Sequence, residues 1–206
     1  MPIAINGSAG TITGISTGGL PDGCVDTDTL ANNAVTAAKS TGLQRRISTG
    51  PTALAGQSSL THTVTAGVKK IEVLFQDSSS NSNSNMKLVL GDSGGLESSG
   101  YGYASGLHRT GTSSREGTVT NFTDSFQTYG LDATTYNIFG TWKLWNPHGN
   151  TWVSEHILWG DDATNHTFYG NGYKTLSGTI TSVYLATLSG VFSDGNITIV
   201  ETMGDD

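Results

Sequence analysis

Short runs of alternating apolar and polar residues, separated by glycine-, serine- and asparagine-rich stretches, dominate the chain from residue 60 onward. A period of two places successive side chains on opposite faces of a β-strand. In Lys70–Phe75, for example, Lys70 and Glu72 share one face and apolar side chains the other. The pattern predicts an all-β domain, a β-sandwich or jelly roll of about eight strands. The candidate strands are 61–66, 69–76, 86–91, 118–123, 137–145, 151–158, 179–187 and 196–201.

The composition favours strands and turns over helices. Of the 206 residues, 28 are glycine, 35% are hydrophobic and only 13% are charged, so strong helix formers such as Glu, Lys and Arg are scarce. The serine- and asparagine-rich stretch 78–85 is predicted to be an exposed, mobile loop, and the glycine-rich stretch 92–117 to form long loops. Residues 146–150, Asn-Pro-His-Gly-Asn, are predicted to be the turn of a hairpin.

Residues 1–50 differ in composition from the rest of the chain. They contain no Phe, Tyr or Trp, so this segment cannot build a packed core of its own. It is predicted to be extended, with at most a short helix within 25–40. Two interpretations stay open: a disordered tail, or a segment that becomes ordered against identical copies or a larger particle. The predicted division is an attachment and oligomerisation segment, 1–50, followed by a β-sandwich head, 51–206.

Charge and hydropathy argue against several classes of partner. The formal net charge is −7, all of it beyond residue 50, and the chain has no cluster of Lys and Arg, so we expect no nucleic-acid partner. No apolar stretch approaches membrane-spanning length, and we expect no membrane insertion. The start MPIAINGSAG lacks the basic and apolar regions of a signal peptide, so we expect synthesis in a host cytoplasm. The single cysteine, Cys24, allows no intrachain disulfide.

The run Gly91–Gly95, Gly-Asp-Ser-Gly-Gly, matches the nucleophile motif of trypsin-like proteases. That chemistry needs a histidine base beside the serine and an aspartate to orient the histidine. The only histidine upstream is His62, outside the Ala-Ala-His-Cys context of that family and with too little chain before it for a first barrel. We predict a glycine-rich turn after the strand 87–90, no catalytic residue and no enzymatic activity. A hydrolase that uses Ser93 is the remote alternative.

Metal and cofactor motifs are absent from the sequence. No His-x-x-x-His or cysteine pattern has metal-ligand spacing, and there is no phosphate-binding loop of the Walker type. Loop oxygens of Asp161-Asp162, near His166, could hold calcium. Asp92 near Glu97 is a second such pair. Aspartate-rich turns are usually only turns, and we expect no metal and no cofactor.

All four tryptophans, at 142, 145, 152 and 159, lie within one predicted hairpin. Alternation predicts that Trp142 points into the core and Trp145 to the opposite face. An exposed aromatic ring beside Asn or Asp suits a sugar, because the flat ring stacks on the apolar face of a pyranose. Tyr101 and Tyr103 are predicted to be exposed in a glycine-rich loop. The candidate glycan- or receptor-binding residues are Tyr101, Tyr103, Trp145, His148, Trp159 and Asp161.

The order of several motifs along the chain resembles the C-terminal domain of many bacteriophage tail-fibre and related virion proteins. The motifs are an apolar strand, a Ser/Asn-rich loop, a Gly-x-x-Gly-Gly turn, a Ser-Gly-Tyr, a tryptophan hairpin, a Lys-x-Leu-Ser-Gly-Thr element and a closing Gly-x-Ile element. Here they lie at Ile71–Phe75, Ser78–Asn85, Gly91–Gly95, Ser99–Tyr101, Asn150–Trp152, Lys174–Ile180 and Phe192–Ile199. The last departs from the family, because Ser193 separates Phe192 from Asp194. The run 10–40 resembles the segment that precedes such domains in marine-phage fibre proteins.

The resemblance implies a structural protein of the virion. It implies a homotrimer in which residues 1–50 contact other virion proteins and the head recognises a host surface glycan, with trimerisation raising a weak single-site affinity. Three functions are compatible with these features: a tail fibre or fibre tip that binds the glycan, a capsid- or tail-attached decoration protein without host recognition, and a hydrolase.

Overall fold

The structure is a computed structural model in which the chain divides into two units, Met1–Leu43 and Gln44–Asp206. In the first unit, β1 (Ala4–Asn6) pairs antiparallel with β2 (Thr11–Thr13). The helix predicted within 25–40 lies outside the described residues. The described residues are 4–6, 11–13, 46–109, 120–131, 137–161 and 166–204.

The second unit is an all-β sandwich of two antiparallel sheets, as predicted. The larger sheet has eight strands in the order β3-β15-β5-β11-β12-β13-β8-β9, and the smaller has the order β10-β6-β14-β4 with β7 beside β6. The described residues contain no helix. The strands are β3 (Arg46–Ala53), β4 (Ser59–Thr63), β5 (Val68–Ser80), β6 (Met86–Asp92), β7 (Gly95–Leu96), β8 (Tyr101–Arg109), β9 (Thr120–Phe122), β10 (Phe126–Gln127), β11 (Asn137–His148), β12 (Thr151–Asp161), β13 (His166–Thr175), β14 (Ser182–Thr187) and β15 (Phe192–Met203).

Each predicted strand corresponds to an observed one, but three of the longer strands have no counterpart in the prediction. They are β3, β8 and β13. Strand β3 begins at Arg46, so the predicted division after residue 50 falls inside this strand, and the compact unit starts at Gln44. Strand β8 shows that the prediction of long loops across 92–117 is wrong for Tyr101–Arg109.

The serine- and asparagine-rich stretch 78–85 is only in part the exposed loop that its composition predicts, since Asn81 and Asn83 are exposed. Strand β5 continues to Ser80, whose side chain is buried. Ser84 is also buried, and its hydroxyl accepts a hydrogen bond of 2.7 Å from the backbone N–H of Ser189. Small hydroxyl side chains can be buried at low cost when such bonds satisfy them. The stretch is therefore packed against the connection between β14 and β15.

The core lies between the two sheets and is crossed by aromatic side chains. Phe126 of the smaller sheet packs edge-on against Tyr101 and Tyr103 of β8, with ring centroids 4.9 and 5.0 Å apart. The backbone N–H of Leu90 donates a 2.8 Å hydrogen bond to the Tyr101 hydroxyl. Trp142 is fully buried, as predicted. Each such ring contributes about 2 kcal/mol through burial, and the opposite face of the larger sheet is left outside this core.

A buried carboxylate fastens the edge strand β4 to the larger sheet. Glu201 of β15 is only 2% exposed. Its Oε1 accepts a 3.0 Å hydrogen bond from the backbone N–H of Thr65 and lies 3.0 Å from Nε2 of His62. Its Oε2 accepts a 2.5 Å bond from the Thr65 hydroxyl. The carboxylate is stable in this position because three partners replace the water that it loses on burial.

Replacing Glu201 with alanine should lower the free energy of unfolding by about 3 kcal/mol, because the partly buried polar groups of Thr65 and His62 lose their hydrogen-bond partner. Glu155 provides a matched control, since it lies on the outer face and its carboxylate is 3.6 Å from Nζ of Lys143. Glu155→Ala should change the stability by no more than about 0.5 kcal/mol. Urea denaturation of both variants measures the difference, and equal losses would contradict the assignment.

Candidate functional site

The outer face of the larger sheet carries the exposed aromatic side chains of the described residues. Trp159 of β12 and Tyr169 and Tyr173 of β13 lie there, with exposed fractions of 42%, 41% and 55%. Asn171, also exposed, lies between the two tyrosines on the same face of β13. Residues two apart on a strand point the same way, so Tyr169, Asn171 and Tyr173 form one row of side chains.

The two tyrosine rings lie over glycines of the neighbouring strand β8. Tyr173 pairs with Gly102 and Tyr169 with Gly106. A Cβ atom built on Gly102 would be 2.8 Å from Cε1 of Tyr173, and one on Gly106 would be 2.9 Å from Cζ of Tyr169. Any larger residue would push the rings away. The glycines therefore leave the space that both rings occupy.

Between the two rings is a hollow whose floor is Ala104. The register places Ala104 between Asn171 of β13 and Asn121 of β9. Two adjoining depressions of about 450 and 240 Å³ share Ala104 and Asn171 as lining residues. We call the hollow bounded by Tyr169, Asn171, Tyr173 and Asn121 the Ala104 bay. Among the described residues, none that lines it is charged.

The central strands extend the apolar character of this face. Ile157 is 66% exposed and Leu74 39%. Thr141 of β11 lies between them, since it pairs with Leu74 on one side and Ile157 on the other. The rings of Phe139 and Trp159 are in contact, with centroids 6.1 Å apart. Contiguous exposed apolar side chains of this kind mark interaction surfaces.

Lys174 fixes the end of β13 from the inner face. Its Nζ pairs with the Glu97 carboxylate and lies 5.5 Å from the ring centroid of Tyr101. The backbone N–H of Ser177 donates a 2.6 Å hydrogen bond to the same carboxylate. Burial by itself would raise the pKa of Glu97, but the bonds from Lys174 and Ser177 hold that pKa below its usual value. These contacts hold the end of β13 in place, and Tyr173 is the residue before Lys174 in that strand.

Two of the predicted site residues, Tyr101 and Tyr103, are not exposed. Each is 3% exposed, because β8 turns its tyrosines toward Phe126 and its small residues outward. Burial raises the pKa of both hydroxyls well above the usual value of a tyrosine. The expectation that they form an exposed loop surface is wrong, and their role is in the core.

The other predicted site residues lie at two separate ends of the β11–β12 hairpin. Trp159 and Asp161 are exposed at one end, while His148 is exposed and Trp145 half-buried at the other. Trp145 pairs with Val153, six residues from Trp159 along β12, which is a separation of about 20 Å. The structure therefore does not bring these four residues together in one site.

The predicted hairpin is present, but its turn is only residues 149–150, because His148 pairs with Thr151 as the last residue of β11. The side-chain amide of Asn146 donates hydrogen bonds of 2.8 Å to the carbonyl oxygens of Gly149 and Thr151. These bonds close the turn locally, so His148 is held beside it at the end of β11.

Tyr169, Asn171 and Tyr173 are not among the residues predicted for the site. The signal was present as Tyr-Gly-Asn-Gly-Tyr at 169–173, in which glycine alternates with large polar residues. Alternation of this kind places all the large side chains on one face. It is easily mistaken for a loop because glycine is depleted in most strands.

A buried polar cluster lies beneath the site, on the inner face of the larger sheet. The hydroxyl of Tyr103 and Nδ1 of His156 share a 2.5 Å hydrogen bond, and Nε1 of Trp142 donates a 2.8 Å bond to the Ser154 hydroxyl. Within the described part of the chain, Nε2 of His156 has no hydrogen-bond partner. Burial lowers the pKa of His156 from 6.5 to about 3, so the ring is neutral at physiological pH.

The run Gly91–Gly95 forms the predicted turn between β6 and β7. Oδ1 of Asp92 accepts a 2.7 Å hydrogen bond from the backbone N–H of Gly94. Gly95 has a φ of 112°, a conformation that favours glycine. Ser93 is exposed at the tip. His62, the histidine upstream, is engaged with Glu201, and the glycines of the run are accounted for by the turn.

Metal-binding residues do not cluster in the described part of the chain. No group of three or more His, Cys, Asp or Glu there is placed to hold an ion. Glu97, one of the acidic pair named from the sequence, is bonded to Lys174 and Ser177. Asp162 of the other pair lies outside the described residues.

Comparison with protein-family models, curated proteins and solved structures finds no match. No helix among the described residues is long and apolar enough to cross a membrane.

Acidification should destabilise the protein through His156. Its pKa is lower in the folded chain than in the unfolded one, so the unfolded chain binds a proton first as the pH falls below 6.5. The stability that His156 contributes is complete above pH 6.5 and declines toward pH 3, by about 2 kcal/mol at pH 5. Urea denaturation between pH 7 and 5 measures this slope.

The variant His156→Leu should lack that part of the pH dependence, whatever its absolute stability. His148→Gln, which removes an exposed histidine, should keep the slope of the original protein. The same slope in His156→Leu as in the unaltered chain would contradict the assignment.

Proposed function

We propose that this chain is a virion structural protein, a trimeric tail fibre or fibre tip whose β-sandwich head binds a host surface glycan. The observation that carries the proposal is the pair of tyrosine rings held over Gly102 and Gly106, with Asn171 between them. Exposed rings can stack on the apolar faces of sugars while amides bond to hydroxyl groups. A site on paired strands also loses little conformational freedom on binding.

The virion role is supported by the resemblance of the motifs to phage fibre domains and by the composition of residues 1–50. An aromatic-free segment needs partner chains to become ordered, and identical subunits or other virion proteins would supply them. Three heads on one fibre would bind a surface glycan together, so a weak single site would suffice for attachment.

A decoration protein of the capsid or tail is the second candidate function. It is favoured by the apolar centre of the outer face, because Leu74, Ile157 and Trp159 suit contact with another protein more than with a hydroxyl-rich sugar. In that case the head would coat or stabilise the particle. The hydrolase alternative has little support, because the turn between β6 and β7 explains the glycines on both sides of Ser93.

Particles that carry Tyr169→Ala and Tyr173→Ala together should adsorb to host cells at least about tenfold more slowly than unaltered particles. Loss of both stacking platforms removes about 1 kcal/mol for each ring, and multivalent attachment amplifies the loss. Leu188→Ala is the control, because Leu188 is an exposed apolar residue that follows β14 of the smaller sheet. Normal adsorption of the tyrosine variant would overturn host recognition through this face.

The position of the protein on the particle separates the two candidate functions. Electron microscopy with an antibody against residues 51–206 should label the tip of the tail. Labelling of the capsid surface or along the tail shaft, combined with normal adsorption after removal of the head, would favour the decoration protein instead.

A further inference from the structure

We propose that the Ala104 bay is the site at which one uncharged saccharide unit enters, with tyrosine rings at its two ends and amide side chains on its two sides. The proposal rests on the glycan-binding function proposed above and adds the position and the class of the sugar. Of the residues that the sequence predicts for recognition, only Tyr101 and Tyr103 lie at the bay, and both are buried beneath it.

The dimensions of the bay follow from the register. Tyr169 and Tyr173 are four residues apart along β13, about 13 Å between their backbone positions. Asn171 and Asn121 are two strand spacings apart, with Ala104 between them, which is about 10 Å. An α-helix with its side chains is about 10–12 Å wide, so it cannot enter once the flanking side chains narrow the space. Pyranose rings are small enough.

The chemistry of the lining selects the ligand. Among the described residues none lining the bay is charged. In the same row of the sheet, the charged residues nearest the bay are Glu155 and Lys143, which pair with each other at 3.6 Å. An anionic sugar would lose hydration here without gaining a counter-charge, and the carboxylate nearest the bay, Glu155 beside Asn171, is already paired with Lys143. The amides of Asn171 and Asn121 each offer both donors and acceptors, which is what hydroxyl groups require.

The floor of the bay is as important as its walls. Ala104 has only a methyl group on the outer face, while Gly102 and Gly106 lie beneath the two rings. Among the described residues of β8, Ala104 is therefore the one that leaves an open floor. A larger side chain there would fill the bay from below without touching the core, because the residues of β8 that face the core are its neighbours Tyr103 and Ser105.

A peptide strand fits this arrangement less well than a sugar does. Peptides that add to a sheet bond to its open edge, whereas the groups that converge on the bay are side chains on the face of the sheet. The walls provide amides and phenol rings, and no backbone N–H of an unpaired strand is required for the proposed contacts.

The test uses the full chain and simple sugars as probes. The methyl glycosides of glucose, galactose, mannose and N-acetylglucosamine are titrated by NMR, beside glucuronic acid and glucosamine as charged counterparts. At least one neutral glycoside should bind and shift the signals of Asn171 and Asn121. The charged counterparts should bind at least tenfold more weakly.

Two variants that each place a leucine on the outer face locate the site. Ala104→Leu should weaken binding of that glycoside at least tenfold, whereas Thr141→Leu, on the same face but outside the bay, should leave it unchanged. Thermal unfolding should be the same for both variants within a few degrees, which excludes a folding defect. Binding that survives in Ala104→Leu, equal binding of charged sugars, or no binding of any neutral glycoside would overturn the proposal.

Particles carrying Ala104→Leu distinguish failure of this inference from failure of the proposed function. If no neutral glycoside binds but these particles adsorb poorly, the class of sugar is wrong and host recognition stands. If a neutral glycoside binds in the bay and the particles still adsorb normally, the bay binds the sugar as proposed and the proposed role in host attachment fails.

Discussion

The two faces of β8 carry different kinds of residue, and both the core and the proposed site depend on this difference. On the inner face, Tyr101 and Tyr103 reach Phe126 of the smaller sheet and so join the two layers. On the outer face, the glycines at 102 and 106 leave room for tyrosine rings from β13. A bulky residue on the outer face would not disturb the core directly, but it would displace the rings.

Polar groups inside the sandwich differ in how many of their hydrogen bonds are made. Glu201 has three partners and ties β4 to the larger sheet. His156 has one on Nδ1 and, among the described residues, none on Nε2. An unmade hydrogen bond in the interior costs about 1–3 kcal/mol. Rings pack closely around the histidine instead, with Trp142 at a centroid distance of 4.7 Å. The inner face beneath the site is therefore compact but sensitive to protonation.

Apolar alternation was enough to predict the all-β fold and several of the strands that carry the core. The alternation correctly predicted β5 and β11, where Val, Ile, Leu and Phe face inward, and the inward orientation of Trp142. It could not reveal β8 or β13, because glycine alternates with aromatic residues there and glycine is usually read as a turn. The misplacement of Tyr101 and Tyr103 has the same origin. In a strand the glycines beside a tyrosine lie on the opposite face, so they say nothing about the exposure of the tyrosine itself.

The part of the candidate site that the sequence could not predict depends on pairing between strands distant in the chain. Tyr173 faces Gly102, and Asn171 faces Ala104, only because β13 pairs with β8 in this register. The inward side chains of β13, such as the fully buried Phe168, hold the strand in place independently of its outward ones. The outward residues can therefore change without loss of the fold, provided that a ring on β13 remains matched by a small residue on β8. A different recognition surface would thus require paired changes on the two strands rather than single substitutions.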